Sequence, residues 1–295
     1  MESLQLKGCF TALVTPFGQD GELDLPALRR LAEWQIESGI NGIVPCGTTG
    51  ESVTLSMDEY RSVIETVADV AAGRVPVIAG AGGNDTAKTI KLAKLAIESG
   101  AEALLSVSPY YNKPSPKGLV AHYSAIAEAV DVPLILYNVP GRTSSNMQAE
   151  TTLQLAEVST IIGIKEASGD LAQIMEICRC RPDGFAVVSG DDALALPIIA
   201  CGGDGVISVV SNEIPAEFTA LIQAALQGDL GRARQIQNKY LPLMHCNFIE
   251  ANPIPVKTAL ALMGRLEEIF RLPLTTMDPA NREQLNTELK TAGLI

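Results

Sequence analysis

Short apolar runs rich in Val, Ile and Leu recur along the first three quarters of the chain. They lie at residues 10–15, 42–45, 75–79, 103–107, 132–136, 161–165, 185–189 and 206–210. Their starts fall roughly 20 to 35 residues apart, the length of a strand plus its crossover helix in a parallel sheet. The runs are nearly continuous rather than alternating, as expected of strands covered on both faces. Helix signals fill the gaps. Asp24 precedes Leu25, Leu28 and Leu31, with Gly39 as the stop; Ser56 and Glu59 have capping-box spacing, with Gly73 as the stop; Asp85 opens and Gly100 closes the next. Such strand–helix units predict an α/β fold, a (β/α)8 TIM barrel. A doubly wound sheet asks for a glycine fingerprint after its first strand, and Thr15-Pro16-Phe17-Gly18 lacks one.

After Gly228 the pattern is helical only. Helices are expected at 229–248, 255–263 and 279–291, divided by Asn252-Pro253 and Leu272-Pro273. The expected division is a catalytic barrel over 1–227 and a three-helix C-terminal appendage over 228–295. With 47% hydrophobic residues but only 4% aromatics, the core must be built mainly from Ala, Val, Ile and Leu. A net charge of −12 argues against a nucleic-acid partner, which needs a basic face. No apolar run approaches the ~20 residues of a membrane span, and no basic-then-apolar signal opens the sequence. The six cysteines form no Cys-x-x-Cys pair, so reduced thiols and a cytoplasmic location are expected. The two histidines, His122 and His245, fall in expected helices, which leaves a histidine triad or a histidine-rich metal site without ligands.

In a barrel of this kind chemistry belongs at the C-terminal ends of the strands. The second run ends in Cys46-Gly47-Thr48-Thr49-Gly50-Glu51, either a capped strand-to-helix turn or a loop whose N–H groups converge on an anion. The sixth ends in Gly163-Ile164-Lys165-Glu166. Lys165 is either a desolvated amine able to attack a carbonyl or a snorkelling cation paired with Glu166 or another acid. On strand parity Ile161, Gly163 and Lys165 share a face, with Gly163 leaving space beneath the amine. The fifth run ends in Tyr137 and leads to Arg142, a possible proton relay and carboxylate clamp, or a satisfied core tyrosine and a surface arginine. Tyr110-Tyr111, between Pro109 and Pro114, suggests a rigid contact loop at a subunit interface or above the site. Gly190-Asp191-Asp192 reads as a metal loop or, more simply, as a turn in which Asp192 caps the next helix.

Taken in order, the segments from Thr11 to Phe17, Gly47 to Glu51, Tyr137 to Thr143, Gly163 to Ser168 and Asn252 to Lys257 resemble the pyruvate-dependent Schiff-base lyases of the N-acetylneuraminate lyase superfamily. The likeness spans essentially the whole chain and is greatest to the dihydrodipicolinate synthase family. It implies an imine between Lys165 and pyruvate, with no organic cofactor and no metal. It also implies Thr48 and Thr49 on the pyruvate carboxylate, and a Thr48–Tyr137–Tyr111 proton relay with Tyr111 supplied by a second subunit. Arg142 would take the carboxylate of aspartate semialdehyde, and the backbone at Gly190 and Ile207 would line the pyruvate pocket. The implied reaction opens diaminopimelate and lysine biosynthesis, in a homodimer at least and a homotetramer by family habit.

The resemblance also implies an effector cleft for L-lysine at Ser52, Val53, Met57, Tyr60, Asn84, Lys88 and Tyr110. Met57 and Tyr60 stand where histidines are expected, and Lys88 where an acid is expected, so inhibition by lysine should be weak or absent. The neighbouring readings are N-acetylneuraminate lyase or a keto-deoxy sugar acid aldolase on the same scaffold. A non-catalytic binding barrel should have lost one of Lys165, Tyr137 or Thr48, and all three are present.

Overall fold

The computed structural model describes residues 4–295. Its strands are β1 (Gly8–Ala12), β2 (Gly42–Val44), β3 (Ile78–Gly80), β4 (Ala103–Val107), β5 (Leu134–Asn138), β6 (Ile161–Glu166), β7 (Ala186–Ser189) and β8 (Gly205–Ser208). All pair in parallel in the order β2-β1-β8-β7-β6-β5-β4-β3. A single parallel bridge between Ile43 and Val77 closes the ring, helped by the Gly80 N–H, which donates to the Pro45 carbonyl at 2.9 Å. The (β/α)8 barrel expected from the apolar runs is the fold.

Helices α1 (Leu25–Glu37), α2 (Met57–Ala71), α3 (Thr86–Glu98) and α4 (Pro116–Ala129) follow the first four strands. The short α5 (Pro140–Thr143) and α6 (Ala149–Ala156) follow β5, and α7 (Leu171–Cys180), α8 (Ala195–Ala200) and α9 (Pro215–Leu226) follow β6 to β8. The expected caps are used: Asp24 accepts from the Ala27 N–H, Asp85 from that of Lys88, and Ser56 with Glu59 forms a reciprocal capping box. The chain ends in α10 (Leu230–Cys246), α11 (Ile254–Leu262) and α12 (Pro279–Ala292). His122 lies on α4 and His245 on α10.

Inward residues such as Phe10, Val44, Ile78, Ile135, Val188 and Ile207 fill the barrel. A second apolar layer, including Leu28, Val63, Tyr123 and Ile174, seals the strands against the helices. The C-terminal helices share a further cluster with α9, built on Phe218, Leu221, Tyr240 and Leu285. Residues 254–260 of α11 are all buried, Lys257 among them, so this helix is enclosed on every side rather than amphipathic. Among the described residues no helix is long and apolar enough to cross a membrane.

β6 departs from simple alternation. A register irregularity between Leu134 and Ile135 of β5 sends Ile161 to the outer layer with Ile164, while Ile162 packs against the barrel interior. Gly163 does not leave room beneath the amine either. A Cβ there would stand 2.6 Å from the Ala186 carbonyl oxygen and 3.1 Å from Leu6 Cδ2, so this glycine lets β7 and Leu6 close in.

Candidate active site

Tyr137 and Lys165 are register partners on β5 and β6, which points both side chains into the barrel mouth. Lys165 is 5% exposed and its Nζ sits 4.5 Å from the centre of the Tyr137 ring. Burial is the main reason its pKa falls to about 8; Asp192 works against that fall and Arg142 adds to it. Glu166 is not its partner. Facing the outer layer, Glu166 takes hydrogen bonds from Asn138 Nδ2 at 3.1 Å, the Ser168 N–H at 2.7 Å and Gln173 Nε2 at 3.2 Å. Burial pushes the Glu166 pKa up despite those donors. The paired-cation reading of Lys165 therefore fails: its sequence neighbour is engaged on the opposite face of the sheet, and no other acid among the described residues forms an ion pair with it.

Gly190, after β7, makes space for Lys165. A Cβ there would lie 2.9 Å from Lys165 Cε and 2.7 Å from Ala167 Cβ. Burial raises the Tyr137 phenol to about 12, with Arg142 and the adjacent Thr48 hydroxyl pulling the other way. The phenol therefore stays protonated at neutral pH and acts as a donor.

The turn after β2 begins at Cys46 (φ 56°) and ends at Glu51 (φ 51°), both in left-handed conformation. Within it the Gly50 N–H donates to Gly47 O at 3.1 Å and the Glu51 N–H to Thr48 O at 3.1 Å. The Thr48 and Thr49 hydroxyls remain as donors toward the cavity. Thr49 Oγ1 accepts from Asn252 Nδ2 at 2.9 Å, which leaves its own proton free to point at a ligand. Thr15 Oγ1 donates to Gly50 O at 2.7 Å and braces the turn from below.

These groups line one cavity of 650 Å³, with Lys165, Tyr137, Thr48, Thr49, Arg142 and Gly190 in its walls. Arg142 stands exposed at the mouth, where Nη2 donates to the Asn252 carbonyl at 3.4 Å. Ile207 is not a wall residue; it is fully buried in the barrel interior, with its backbone in β8. Tyr111 does not reach the cavity of its own chain. It is 90% exposed with a φ of 72°, while Tyr110 does line the cavity.

The altered cleft is split in the same way. Ser52, Val53, Met57 and Tyr60 border the cavity, with Val53 and Met57 exposed. Tyr60 is buried and its O–H donates to the Gly80 carbonyl at 2.8 Å, so it is committed to the barrel rather than to a ligand. Asn84 Nδ2 donates to Tyr110 O at 3.2 Å, and Lys88 extends into solvent 3.9 Å from Asp85.

Asp192 does not cap the next helix as expected. No side chain caps that helix; Asp191 closes the turn before it, accepting from the Ala193 N–H at 2.9 Å and that of Leu194 at 3.3 Å. The Asp192 carboxylate turns inward beneath the mouth and accepts from the N–H groups of Val209 and Val210 at 3.1 and 2.8 Å. Burial raises its pKa to about 6. Asn252 was passed over as a site residue, although a polar side chain beside a proline in the segment leading into an apolar helix is a visible signal.

Relatives and solved structures agree along the full length. The chain is 54% identical over 293 residues to the 4-hydroxy-tetrahydrodipicolinate synthase of Koribacter versatilis, covering 99% of this chain and 98% of that one. It superposes with a TM-score of 0.97 on the chloride-inhibited dihydrodipicolinate synthase of Acinetobacter baumannii in complex with pyruvate, at 46% identity, covering 99% of this chain and all of that one (100%). The Thermotoga maritima dihydrodipicolinate synthase gives a TM-score of 0.97 at 43% identity, with 99% and 100% of the two chains covered. The profile of the dihydrodipicolinate synthetase family matches residues 5–292, and the chain belongs to that family.

Proposed function

We propose that this chain is a 4-hydroxy-tetrahydrodipicolinate synthase, condensing pyruvate with L-aspartate 4-semialdehyde through an imine on Lys165. The observation that carries the reading is the desolvated Lys165 amine, packed on Tyr137 and facing two threonine hydroxyls in one cavity. The full-length likeness to synthases of that name supports the choice of substrates. The sialic acid and sugar-acid aldolase readings have no comparable support.

The chemistry follows from the groups present. Neutral Lys165 attacks the ketone carbon of pyruvate while Thr48 and Thr49 hold the carboxylate; water leaves and a protonated imine remains. That imine draws electrons from the methyl group, a methyl proton departs, and an enamine forms. The enamine carbon adds to the aldehyde carbon of aspartate semialdehyde, whose carboxylate Arg142 clamps at the mouth. The amine of the adduct then attacks the imine carbon and expels Lys165, closing the ring. Tyr137 passes protons to the departing hydroxyl and from the methyl group. The covalent imine takes the place of an organic cofactor or metal, and the backbone at Gly190 bounds the pyruvate end.

Tyr111 completes the relay when it is the partner subunit's Tyr111. The exposed phenol and the left-handed backbone that presents it away from its own cavity support that arrangement. A homodimer is the smallest active unit in this reading, and a homotetramer is a pair of such dimers. A cytoplasmic location belongs to the same reading, supported by cysteines that are all unpaired.

Turnover of pyruvate with aspartate semialdehyde, set against cleavage of N-acetylneuraminate, tests the substrate assignment. The synthase reaction alone is expected; cleavage of the sugar acid as the faster reaction contradicts it. The pH profile follows from the Lys165 pKa of about 8. Only the neutral amine attacks, so kcat/KM for pyruvate should rise about tenfold per pH unit below that value and level off above it. A profile flat from pH 6 to 9 (about two units below the transition to about one above it) contradicts a titrating lysine nucleophile. Sub-millimolar L-lysine should leave the rate essentially unchanged, because Met57 and Tyr60 offer no cation partner and Lys88 repels one. Strong inhibition in that range rejects the reading of the cleft.

A further inference from the structure

A second buried lysine lies outside the reacting cavity. Lys257 on α11 donates to Glu51 Oε1 at 2.5 Å and to the Ile269 carbonyl at 2.7 Å. Its Nζ is held between the rings of Phe17 and Phe270, 4.4 and 5.0 Å from their centres. The side chains of this pair are 0% and 1% exposed, whereas every other ion pair among the described residues keeps both partners at 19% or more. Neither residue is a wall of the cavity.

We propose that Lys257 and Glu51 are positioning residues for pyruvate, an ion pair that fixes the 46–51 turn so that Thr48 and Thr49 meet the substrate carboxylate. The proposal rests on the pyruvate reading above. Glu51 ends that turn two residues after Thr49, in a left-handed conformation that a free chain does not favour. Its second oxygen takes the Arg271 N–H at 3.4 Å, and the Arg271 guanidinium in turn grips Glu59, the Gly21 carbonyl and the Thr54 carbonyl. The turn is thereby tied to the start of α2 on one side and to α11 on the other. The segment entering α11 makes a second hold, because Asn252 donates to Thr49 Oγ1 and accepts from Arg142.

Two apolar side chains of similar volume would fill this space without the desolvation that two charges suffer. What the ion pair adds is a fixed length and direction between the C-terminal helices and the turn. Burial lowers the Lys257 pKa while Glu51 opposes that shift, as expected of an enclosed lysine kept charged by one partner.

The test is steady-state kinetics of the full chain carrying Lys257→Met together with Glu51→Gln, which removes both charges and leaves none unpaired. KM for pyruvate should rise about tenfold or more, as a displaced recognition element demands. In the same variant KM for aspartate semialdehyde should stay within about threefold of wild type, so that the loss of binding falls on pyruvate alone. Glu51→Asp keeps both charges and only shortens the reach to Lys257; it should raise the pyruvate KM in the same direction and serves if the double variant does not fold. A folded variant of either kind with an unchanged pyruvate KM overturns the proposal while leaving the catalytic reading intact. A wild-type chain that shows no pyruvate-dependent turnover overturns both.

Discussion

Replacing Lys165 with alanine is expected to lower turnover by about a thousandfold or more, the scale of loss when a covalent nucleophile is removed. No other amine in the cavity can take its place, since Arg142 is the remaining cation in its walls. The same substitution should leave stability within about 1 kcal/mol of wild type or improve it, because burial already disfavours the charged form of Lys165. A variant that is folded and inactive separates a chemical role from a structural one. Retention of more than about a tenth of wild-type activity would remove Lys165 from the mechanism.

Lys257 predicts the opposite signature. Lys257→Met leaves the Glu51 carboxylate, 1% exposed as a side chain, without its cation, and stability should fall by about 3–5 kcal/mol in denaturant unfolding. Adding Glu51→Gln should restore most of that loss, since no unpaired charge then remains buried. The double-mutant cycle isolates the coupling between the two side chains. Additive losses with no recovery would mean that packing against Phe17 and Phe270, rather than the charge pair, holds α11 to the turn.

The barrel was legible because parallel strands covered on both faces carry little polar sequence, and glycines and caps mark each return. Lys165 stood out for the same physical reason: a cation closing an apolar strand needs an explanation. Lys257 carries that signal in α11, between Val256 and Thr258 in a run that is buried throughout, but a helix offers no strand-end rule to direct attention to it. Its partner Glu51 lies more than two hundred residues away in sequence. The Ile161 misplacement came from an irregularity that alternation does not encode, and Gly163 was misread because Leu6 and β7 supply the atoms that fill its space. Asp192 misses the expected helix cap because turn geometry, which the sequence does not show, turns its carboxylate to the N–H groups of Val209 and Val210. Tyr111 has its place in the proposed site only across two chains, a relation that a single sequence shows through resemblance alone.

The central claim is that Lys165 forms an imine with pyruvate. Borohydride reduction in the presence of pyruvate, followed by mass spectrometry of the digested protein, tests it directly. One stable adduct, the mass of a reduced pyruvyl group, is expected on the peptide containing Lys165, absent without pyruvate and absent from Lys165→Ala. Active protein that loses no activity under these conditions and carries no label on Lys165, or carries it on another lysine, would contradict the account.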